Sequence, residues 1–225
     1  MPGRTIAIGD IHGCDVAFDT LLSKLEIADD DTLVVLGDAC DRGPGTKACY
    51  DRLIELQQRC RLVYVFGNHD EMMLDAIDGN APPGVWLNVG GVETLESYGG
   101  SLAGVPAAHS AFLKSAAPYW ETDAEIFIHA NLEPNVPLAQ QTAEWLRWIK
   151  LTGYEQPHPS GKRVICGHTS QRSGLPLVRD GWVCIDTRVY DETGWLTALD
   201  VGTNQLSQAN QQGAYRDGFS LAEIE

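Results

Sequence analysis

The chain lacks any apolar run close to the roughly 20 residues that cross a bilayer, and it does not open with the charged and apolar regions of a secretory signal peptide. Its six cysteines show no CxxC spacing, and two of them, Cys166 and Cys184, lie within strand-like runs. Internal repeats and low-complexity tracts are also missing. We therefore expect a cytoplasmic protein with reduced cysteines and no membrane partner.

Basic residues are scarce: 16 lysines and arginines stand against 31 acidic residues, for a formal net charge of −15. Such an acidic balance disfavours nucleic acid as a partner. The 225 residues, 44% of them hydrophobic, are enough for one well-filled core and too few for two comfortable domains. We therefore predict a single domain over residues 1–225.

Runs of apolar and β-branched residues predict strands that alternate with amphipathic helices. The predicted strands cover residues 5–8, 33–36, 62–66, 125–129 and 163–167, and the predicted helices cover 15–25, 46–60, 71–77 and about 142–151. Asp15 is expected to cap the first helix. Strand–helix alternation of this kind predicts an α/β fold with a parallel sheet.

Other segments give weaker signals. Residues 79–121 are predicted to be helical, with no strand. Residues 182–186 and 195–201 predict a hairpin around residues 191–194. The tail from Gly202 is polar, and residues 220–224 predict one helical turn.

Five short polar motifs come directly after predicted strands, and the carboxyl ends of parallel strands are where ligand sites form in α/β proteins. The motifs are GDIHG at 9–13, GDACDRG at 37–43, GNHD at 67–70, HA at 129–130 and GH at 167–168. They bring three carboxylates, three imidazoles and one amide: Asp10, Asp38, Asp41, His12, His129, His168 and Asn68. Nitrogen and oxygen donors without cysteine suit hard or borderline divalent metals, and this number of ligands suits two ions.

The chemistry of such a site follows from its residue types. Asp38 has two carboxylate oxygens and can bridge two cations. Two divalent ions lower the pKa of a bridging water, so that the resulting hydroxide can attack in line a phosphate held between the ions. The planar guanidinium of Arg42 suits phosphate oxygens. His69 can protonate the leaving oxygen, with Asp41 orienting its ring.

Each motif also has a simpler explanation. A single aspartate after a strand is usually a helix cap, a single histidine is more often a surface residue than a ligand, and Arg42 alone would be a surface charge. Four of the six histidines nevertheless fall in the motifs, each at a strand end. Five coincidences of this kind are not expected together. The remaining two, His109 and His158, are predicted to be surface or loop residues.

The motifs, in this order, resemble the motif set of the phosphoprotein phosphatase branch of the calcineurin-like metallophosphoesterases. The set spans residues 9–168, and residues 86–99 and 185–201 are similar to the short bacterial serine/threonine protein phosphatases. The resemblance implies an αββα sandwich with a dinuclear metal site at the strand ends. It also implies two divalent ions, commonly manganese in bacterial relatives, with iron or zinc as alternatives.

The resemblance implies a role for each motif residue. The first metal would be held by Asp10, His12 and Asp38, and the second by Asp38, Asn68, His129 and His168. Three further residues would act on the substrate: His69 as general acid, Asp41 as its partner and Arg42 as the phosphate clamp.

Three positions depart from the family pattern. Asn131 follows the fourth motif where relatives have glycine. Lys150 stands where bacterial relatives place an arginine that contacts phosphate, so we predict a second phosphate contact there, with Arg147 and Arg188 as alternatives. Arg188 also replaces a glycine near the substrate entrance. These departures concern substrate preference and leave the metal chemistry unchanged.

Three function classes follow. The leading prediction is a metal-dependent phosphomonoesterase, a serine/threonine protein phosphatase acting on a phosphorylated protein or a small phosphoester. The enzymatic alternative is a phosphoanhydride hydrolase of the diadenosine tetraphosphate type, which shares three of the motifs. A non-catalytic, phosphatase-like binding module is the third. Such a module is expected to have lost metal ligands or His69, and this chain has lost none.

Overall fold

The computed structural model describes residues 3–224, so residues 1, 2 and 225 of the predicted domain lie outside the described part. The strands are β1 Thr5–Ile8, β2 Thr32–Val35, β3 Arg61–Tyr64, β4 Trp120–Glu121, β5 Glu125–Phe127, β6 Arg163–Cys166, β7 Leu177–Arg179, β8 Trp182–Cys184, β9 Leu196–Asp200, β10 Gln205–Ala209 and β11 Tyr215–Ser220. The α-helices are α1 Asp15–Leu25, α2 Thr46–Leu56, α3 Asn68–Asp78, α4 Gly84–Trp86, α5 Val92–Ser97, α6 Ala107–Lys114 and α7 Ala143–Arg147.

Two mixed sheets form the centre of the fold. The first has six strands in the order β11-β10-β9-β1-β2-β3, and the second has five in the order β4-β5-β6-β8-β7. Parallel pairing joins β1, β2 and β3 in the first sheet and β5, β6 and β8 in the second. Antiparallel strands complete both sheets. The predicted parallel strands are therefore the middle of two separate sheets.

The sheets are buried on both faces, and alternation along each strand sends side chains to different cores. In β1, Ile6 and Ile8 pack against the helices, while Ala7 faces the second sheet. In β6, Ile165 faces the first sheet, while Val164 packs outwards. Helices cover both outer faces: α1, α2 and α3 contribute to the core of the first sheet and α7 to that of the second. The αββα arrangement is confirmed.

The predicted hairpin is wrong. Strand β8 pairs with β6 and β7 in the second sheet, whereas β9 pairs with β1 and β10 in the first. The chain therefore crosses from one sheet to the other between Cys184 and Leu196. A short connection and turn residues are equally compatible with a hairpin and with such a crossing, so the local pattern could not distinguish them.

Three smaller expectations also differ from the structure. The polar tail contains β10 and β11. The edge strand β11 needs few apolar residues, and β10 lies inside it with only Leu206, Gln208 and Ala209 buried. The two-residue strand β4 lies in the segment predicted to have none. Cys14, not Asp15, occupies the position before α1, and the Asp15 carboxylate accepts a hydrogen bond from Gln211 Nε2 instead.

His109 is buried rather than exposed, which corrects the prediction for it. It lies on the inner face of α6, where its Nδ1 is 2.7 Å from Tyr98 Oη and its Nε2 is 2.9 Å from Asp51 Oδ1. His158 lies in a loop as predicted. All six cysteines are free thiols. No helix within residues 3–224 is long and apolar enough to cross a membrane.

Candidate metal centre

The carboxyl ends of the parallel strands in both sheets meet at one cleft. Strands β1 and β2 lead to Asp10 and Asp38, and α3 begins with Asn68 after β3. From the second sheet, β5 leads to His129 and β6 to His168. The structure thus brings the six predicted ligands together from two sheets, although their roles as ligands stay predictions.

The backbone of this region is conformationally unusual. Within residues 3–224, nine residues other than glycine have a positive φ. Six of them are candidate site residues: His12, Asp38, Asp41, Arg42, His168 and the alternative phosphate contact Arg188. A left-handed backbone is costly for residues with a Cβ, by about 1–2 kcal/mol. Such strain concentrates at functional sites, where the surrounding structure compensates for it. The sharp turns aim successive side chains into the cleft.

Asp38 is the centre of two groups of potential ligands. One group joins it to His12 and His69, the other to His129 and His168, and within each group the ligand atoms lie within 4.8 Å of one another. The Nε2 atoms of His129 and His12 are 3.3 and 4.0 Å from Asp38 Oδ2. A carboxylate shared by two groups is the arrangement that a dinuclear centre needs.

Backbone carbonyls orient the imidazoles. The Nδ1 atom of His129 lies 2.6 Å from the Leu36 carbonyl, and that of His12 lies 3.0 Å from the Cys40 carbonyl. Both rings therefore direct Nε2 into the cleft. In His168 the contact is reversed, because Nε2 is 3.0 Å from the Trp148 carbonyl. Such contacts from the far side of the ring are typical of metal-binding histidines, since they fix the ring orientation.

Asn68 and Asp10 complete the set. Asn68 Oδ1 lies 3.0 Å from His129 Nε2. Asp10 Oδ2 lies 3.9 Å from His12 Nε2, and both Asp10 oxygens accept a hydrogen bond from the backbone N–H of His168. Asp10 therefore contacts residues of both ligand groups.

The donor set fits divalent cations. Asp10, Asp38 and Asp186 are each at most 3% exposed. Burial and the nearby Asp186 carboxylate raise the pKa of Asp10 well above its usual value. Burial would raise the pKa of Asp38 as well, but His129 and the neighbouring imidazoles hold it well below that value. A cluster of buried carboxylates this dense is stabilised by positive charge placed among them.

The pKa values of His129 and His168 shift in opposite directions. Burial lowers the pKa of His129, but the Asp38 and Asp10 carboxylates outweigh it and raise that pKa to about 10. Burial and the neighbouring His129 lower the pKa of His168 to about 3. His168 is therefore neutral near pH 7, which is the form that binds a metal.

His69 and Asp41 form a close pair. Asp41 is fully buried, and its Oδ2 accepts a hydrogen bond of 2.6 Å from His69 Nδ1. Trp86 Nε1 donates to both Asp41 oxygens at 2.9 and 3.0 Å, and Thr94 Oγ1 donates at 2.8 Å. The carboxylate is held from three sides, so it fixes the His69 ring with Nε2 directed into the cleft.

Arg42 contacts both imidazoles of the first ligand group. Its Nη1 donates to His12 Nε2 at 2.8 Å, and its Nη2 donates to His69 Nε2 at 3.0 Å. The guanidinium carbon also lies 4.4 Å from the ring centre of Tyr190. Arg42 is thus placed where a phosphate held in the cleft would meet a planar pair of N–H donors.

The cleft has a volume of about 470 Å³ and carries four cationic side chains on its wall: Arg42, Lys150, Arg172 and Arg188. Of the three alternatives for a second phosphate contact, Lys150 and Arg188 therefore lie at the cleft. Arg147 does not line it; this side chain is 3.2 Å from Glu71 Oε1 and borders a separate cavity near Phe66.

Sequence reasoning missed two buried aspartates here. Asp186 follows β8 and accepts a hydrogen bond of 2.7 Å from Ser170 Oγ. The strand-end rule applies to Asp186 as well, but the sequence pattern predicts β8 as one arm of a hairpin. Asp70 accepts hydrogen bonds from the backbone N–H groups of Asp38 and Gly67 and from the hydroxyls of Tyr50 and Tyr64. It holds the loop that carries Asp38.

Comparisons with known proteins find similarity in sequence and in fold. The symmetrical bis(5'-nucleosyl)-tetraphosphatase of Acidovorax ebreus (strain TPSY) is 43% identical over 34% of this chain and 27% of its own. Serine/threonine-protein phosphatase 1 of Salmonella typhimurium is 36% identical over 37% of each chain. The chain thus spans well under half the length of these curated relatives. The crystal structure of a proposed diadenosine tetraphosphatase is similar in fold, with a TM-score of 0.71, 19% identity, and coverage of 97% of this chain and 95% of that one.

The family itself is established by a longer match. The calcineurin-like phosphoesterase model matches residues 3–174, which include all five motifs and three strands of each sheet. The chain belongs to the calcineurin-like phosphoesterase family.

Proposed function

We propose that the protein is a metal-dependent phosphoester hydrolase that holds two divalent ions, with manganese as the first choice. The observation that carries this proposal is the pair of ligand groups sharing Asp38, in a cleft that also holds Arg42 and the His69–Asp41 pair. Two divalent ions bound there would polarise the phosphate and make water acidic enough to serve as the nucleophile near neutral pH.

The protein's own residues supply the remaining steps. Arg42 binds the equatorial oxygens of the phosphate, and its interaction strengthens as charge builds on them. When the phosphate draws Arg42 away from His69, Nε2 of His69 is free to carry a proton to the leaving oxygen. Asp41 keeps the Nδ1–H of that ring directed away from the cleft and stabilises the charged imidazole. Lys150 adds a positive charge at the rim.

His69 also belongs to the ligand group of His12 and Asp38, so geometry permits a second role. The hydrogen bond to Asp41 would orient the ring for either role. We assign the acid because Nε2 of His69 lies 3.0 Å from Nη2 of Arg42, the group that is to bind the phosphate. Substitution of a metal ligand lowers the metal content of the protein. Substitution of a general acid lowers the catalytic rate and leaves the metal bound. This difference makes the assignment testable.

We propose phosphoserine and phosphothreonine in proteins as the substrate class. The similarity to the Salmonella protein phosphatase supports it. The cleft is also rimmed by the exposed side chains of Trp148 and Lys150, so a phosphorylated side chain on a larger polypeptide can reach it.

The second candidate is the hydrolysis of dinucleoside tetraphosphates. Two observations favour it: several of the similar curated proteins are symmetrical tetraphosphatases, and four cationic side chains line one cleft of a chain whose net charge is −15. A single phosphate does not require so many positive charges.

The test is a direct comparison of substrates at fixed free manganese. We expect release of phosphate from phosphoserine and phosphothreonine peptides, measured alongside the products formed from diadenosine tetraphosphate. Asp38→Asn serves as the control variant, because it removes the charge shared by both ligand groups. Absence of hydrolysis of every phosphoester tested, with metal bound, would contradict the proposed chemistry. A clear preference for the tetraphosphate would replace the first candidate by the second.

A further inference from the structure

We propose that Arg172 and Arg188 form a second phosphate subsite beside the metal centre, which binds the neighbouring phosphate of an oligophosphate chain. The inference rests on the proposed phosphoester chemistry and deepens its second substrate candidate, because phosphoserine and phosphothreonine carry no neighbouring phosphate. It concerns residues that the first phosphate does not need, since Arg42 and the metal ligands already surround that position.

The ring of Tyr190 connects the two positions. It packs edge-to-face against His12 with ring centres 5.1 Å apart. The guanidinium carbons of Arg42 and Arg188 lie 4.4 and 5.7 Å from the centre of that ring. The two guanidinium carbons are therefore separated by at most the sum of these distances, about 10 Å. Neighbouring phosphates of one chain can be bound at the same time by groups this close.

The backbone of Arg188 is strained. Its φ is +60°, in the left-handed region where glycine fits without strain. The backbone N–H of Arg188 donates to Asp186 Oδ1 at 3.0 Å, which fixes this turn at the edge of the site. Retaining a large cation in a strained conformation indicates a use for that cation. Asp191 Oδ2 lies 3.1 Å from Arg188 Nε and offsets part of the charge of the guanidinium, but this contact lacks the geometry of a hydrogen bond.

Arg172 is placed by the loop after His168. Ser170 Oγ donates to Asp186 Oδ2 at 2.7 Å, and the backbone N–H of Gln171 donates to the Asp186 carbonyl at 2.8 Å. These two bonds anchor the loop directly before Arg172. The side chain is exposed, and no hydrogen bond or ion pair to it is found within residues 3–224. Its charge is therefore available to a ligand.

A second cavity continues the cleft at this point. It has a volume of about 350 Å³ and shares Arg172 and Arg188 with the main cleft. A ligand that extends from the metal centre towards the second cavity therefore passes these two arginines. The sign of the charge selects an anion, and the planar guanidinium groups suit phosphate oxygens. A chain of linked phosphates meets both requirements.

The test compares two ligands that cannot be hydrolysed: methylphosphonate, with one phosphonate group, and methylenediphosphonate, with two. Binding is measured by calorimetry at a fixed free manganese concentration, because both ligands also bind metal ions. We expect the double variant Arg172→Ala/Arg188→Ala to reduce the preference for the diphosphonate by about tenfold or more, the size of one or two charge-assisted hydrogen bonds. The double lysine variant should recover part of the preference.

Arg179→Ala is the matched control, because Arg179 is an exposed arginine on β7 whose guanidinium bonds the neighbouring Val178 carbonyl. It should leave the preference unchanged. An unchanged preference in the double alanine variant would overturn the subsite even if the protein hydrolyses phosphoesters. A reduced preference would support it even if no substrate is turned over. If only the affinity for an acidic phosphopeptide falls, the arginines serve a polypeptide and the oligophosphate assignment is wrong.

Discussion

His69 and Asp41 are joined by a hydrogen bond of 2.6 Å between Nδ1 and Oδ2, at the base of the cleft. The bond connects α3 to the loop after β2, so the orientation of the ring depends on two separate elements. Because Asp41 is itself held by Trp86 and Thr94, the pair is rigid before substrate arrives. Preorganised groups of this kind lose little free energy in reaching the transition state.

If His69 is the general acid, His69→Asn should retain the bound metal while kcat falls about 10²–10⁴-fold, the usual contribution of acid–base catalysis. The loss should be smaller for a nitrophenyl ester, whose leaving group needs no proton. Metal content and kcat are measured on the same samples. His158→Asn, at a half-buried loop position that does not line the cleft, is the control. Loss of metal with equal loss on both substrates would identify His69 as a ligand instead.

The number of metal ions bound by a variant should depend on which of the two ligand groups the substitution changes. We expect two divalent ions per chain in the wild-type protein and loss of activity in chelator. Asp38→Asn should lower the occupancy of both ions, since this carboxylate belongs to both groups. His12→Asn and His168→Asn should each lower mainly the occupancy of one ion. Elemental analysis of the dialysed proteins measures these differences, and equal stoichiometry in all three variants would contradict the shared-ligand arrangement.

Arg42→Ala should raise KM and lower kcat together, because the guanidinium contacts the phosphate in both the ground state and the transition state. Lys150→Ala should have a smaller effect, since this side chain lies at the exposed rim. Lys150→Arg should be tolerated. Steady-state kinetics on a phosphopeptide measures all three, with the exposed Arg59→Ala as control. Wild-type behaviour of Arg42→Ala would assign the clamp to Arg188.

Asp31 should stabilise the fold in a pH-dependent manner. Its carboxylate is buried and accepts hydrogen bonds from the Arg4 side chain and from the backbone N–H groups of Arg4 and Ala28. Burial raises its pKa, but these bonds outweigh burial and lower the pKa below its usual value. The stabilisation is therefore present above the unfolded pKa of about 4 and is lost as the pH falls through the lower folded pKa.

Asp31→Asn should accordingly lower the free energy of unfolding at pH 7 by about 1–3 kcal/mol, the cost of poorly satisfied buried donors. The ionic part is small, because the Arg4 side chain is 40% exposed. Urea unfolding between pH 7 and pH 3 should show the difference from wild type narrowing below about pH 4. Asp29→Asn, an exposed neighbour, should show no such narrowing. A difference that is independent of pH would rule out the ionised carboxylate as its source.

The amino-acid sequence by itself determined the polar ends of the strands. An apolar run ends where a polar residue can be solvated or bound to a ligand, so the positions of Asp10, Asp38 and Asn68 follow from local pattern alone. The motif order predicted the calcineurin-like phosphoesterase family, which the match over residues 3–174 confirms. The phosphoprotein phosphatase branch within that family stays a prediction. The imidazoles His129 and His168 were predicted by the same rule.

Only the tertiary structure decided which strands pair and which charges meet. The segment after β8 enters the first sheet instead of forming a hairpin, because pairing partners depend on packing between distant parts of the chain. The same long-range packing buries His109, turns Arg147 towards Glu71, and places Arg188 and Arg172 at one wall of the cleft. Local pattern specifies where a side chain stands along its own segment, whereas its neighbours come from other segments, and their contacts are fixed only when the two sheets close upon each other.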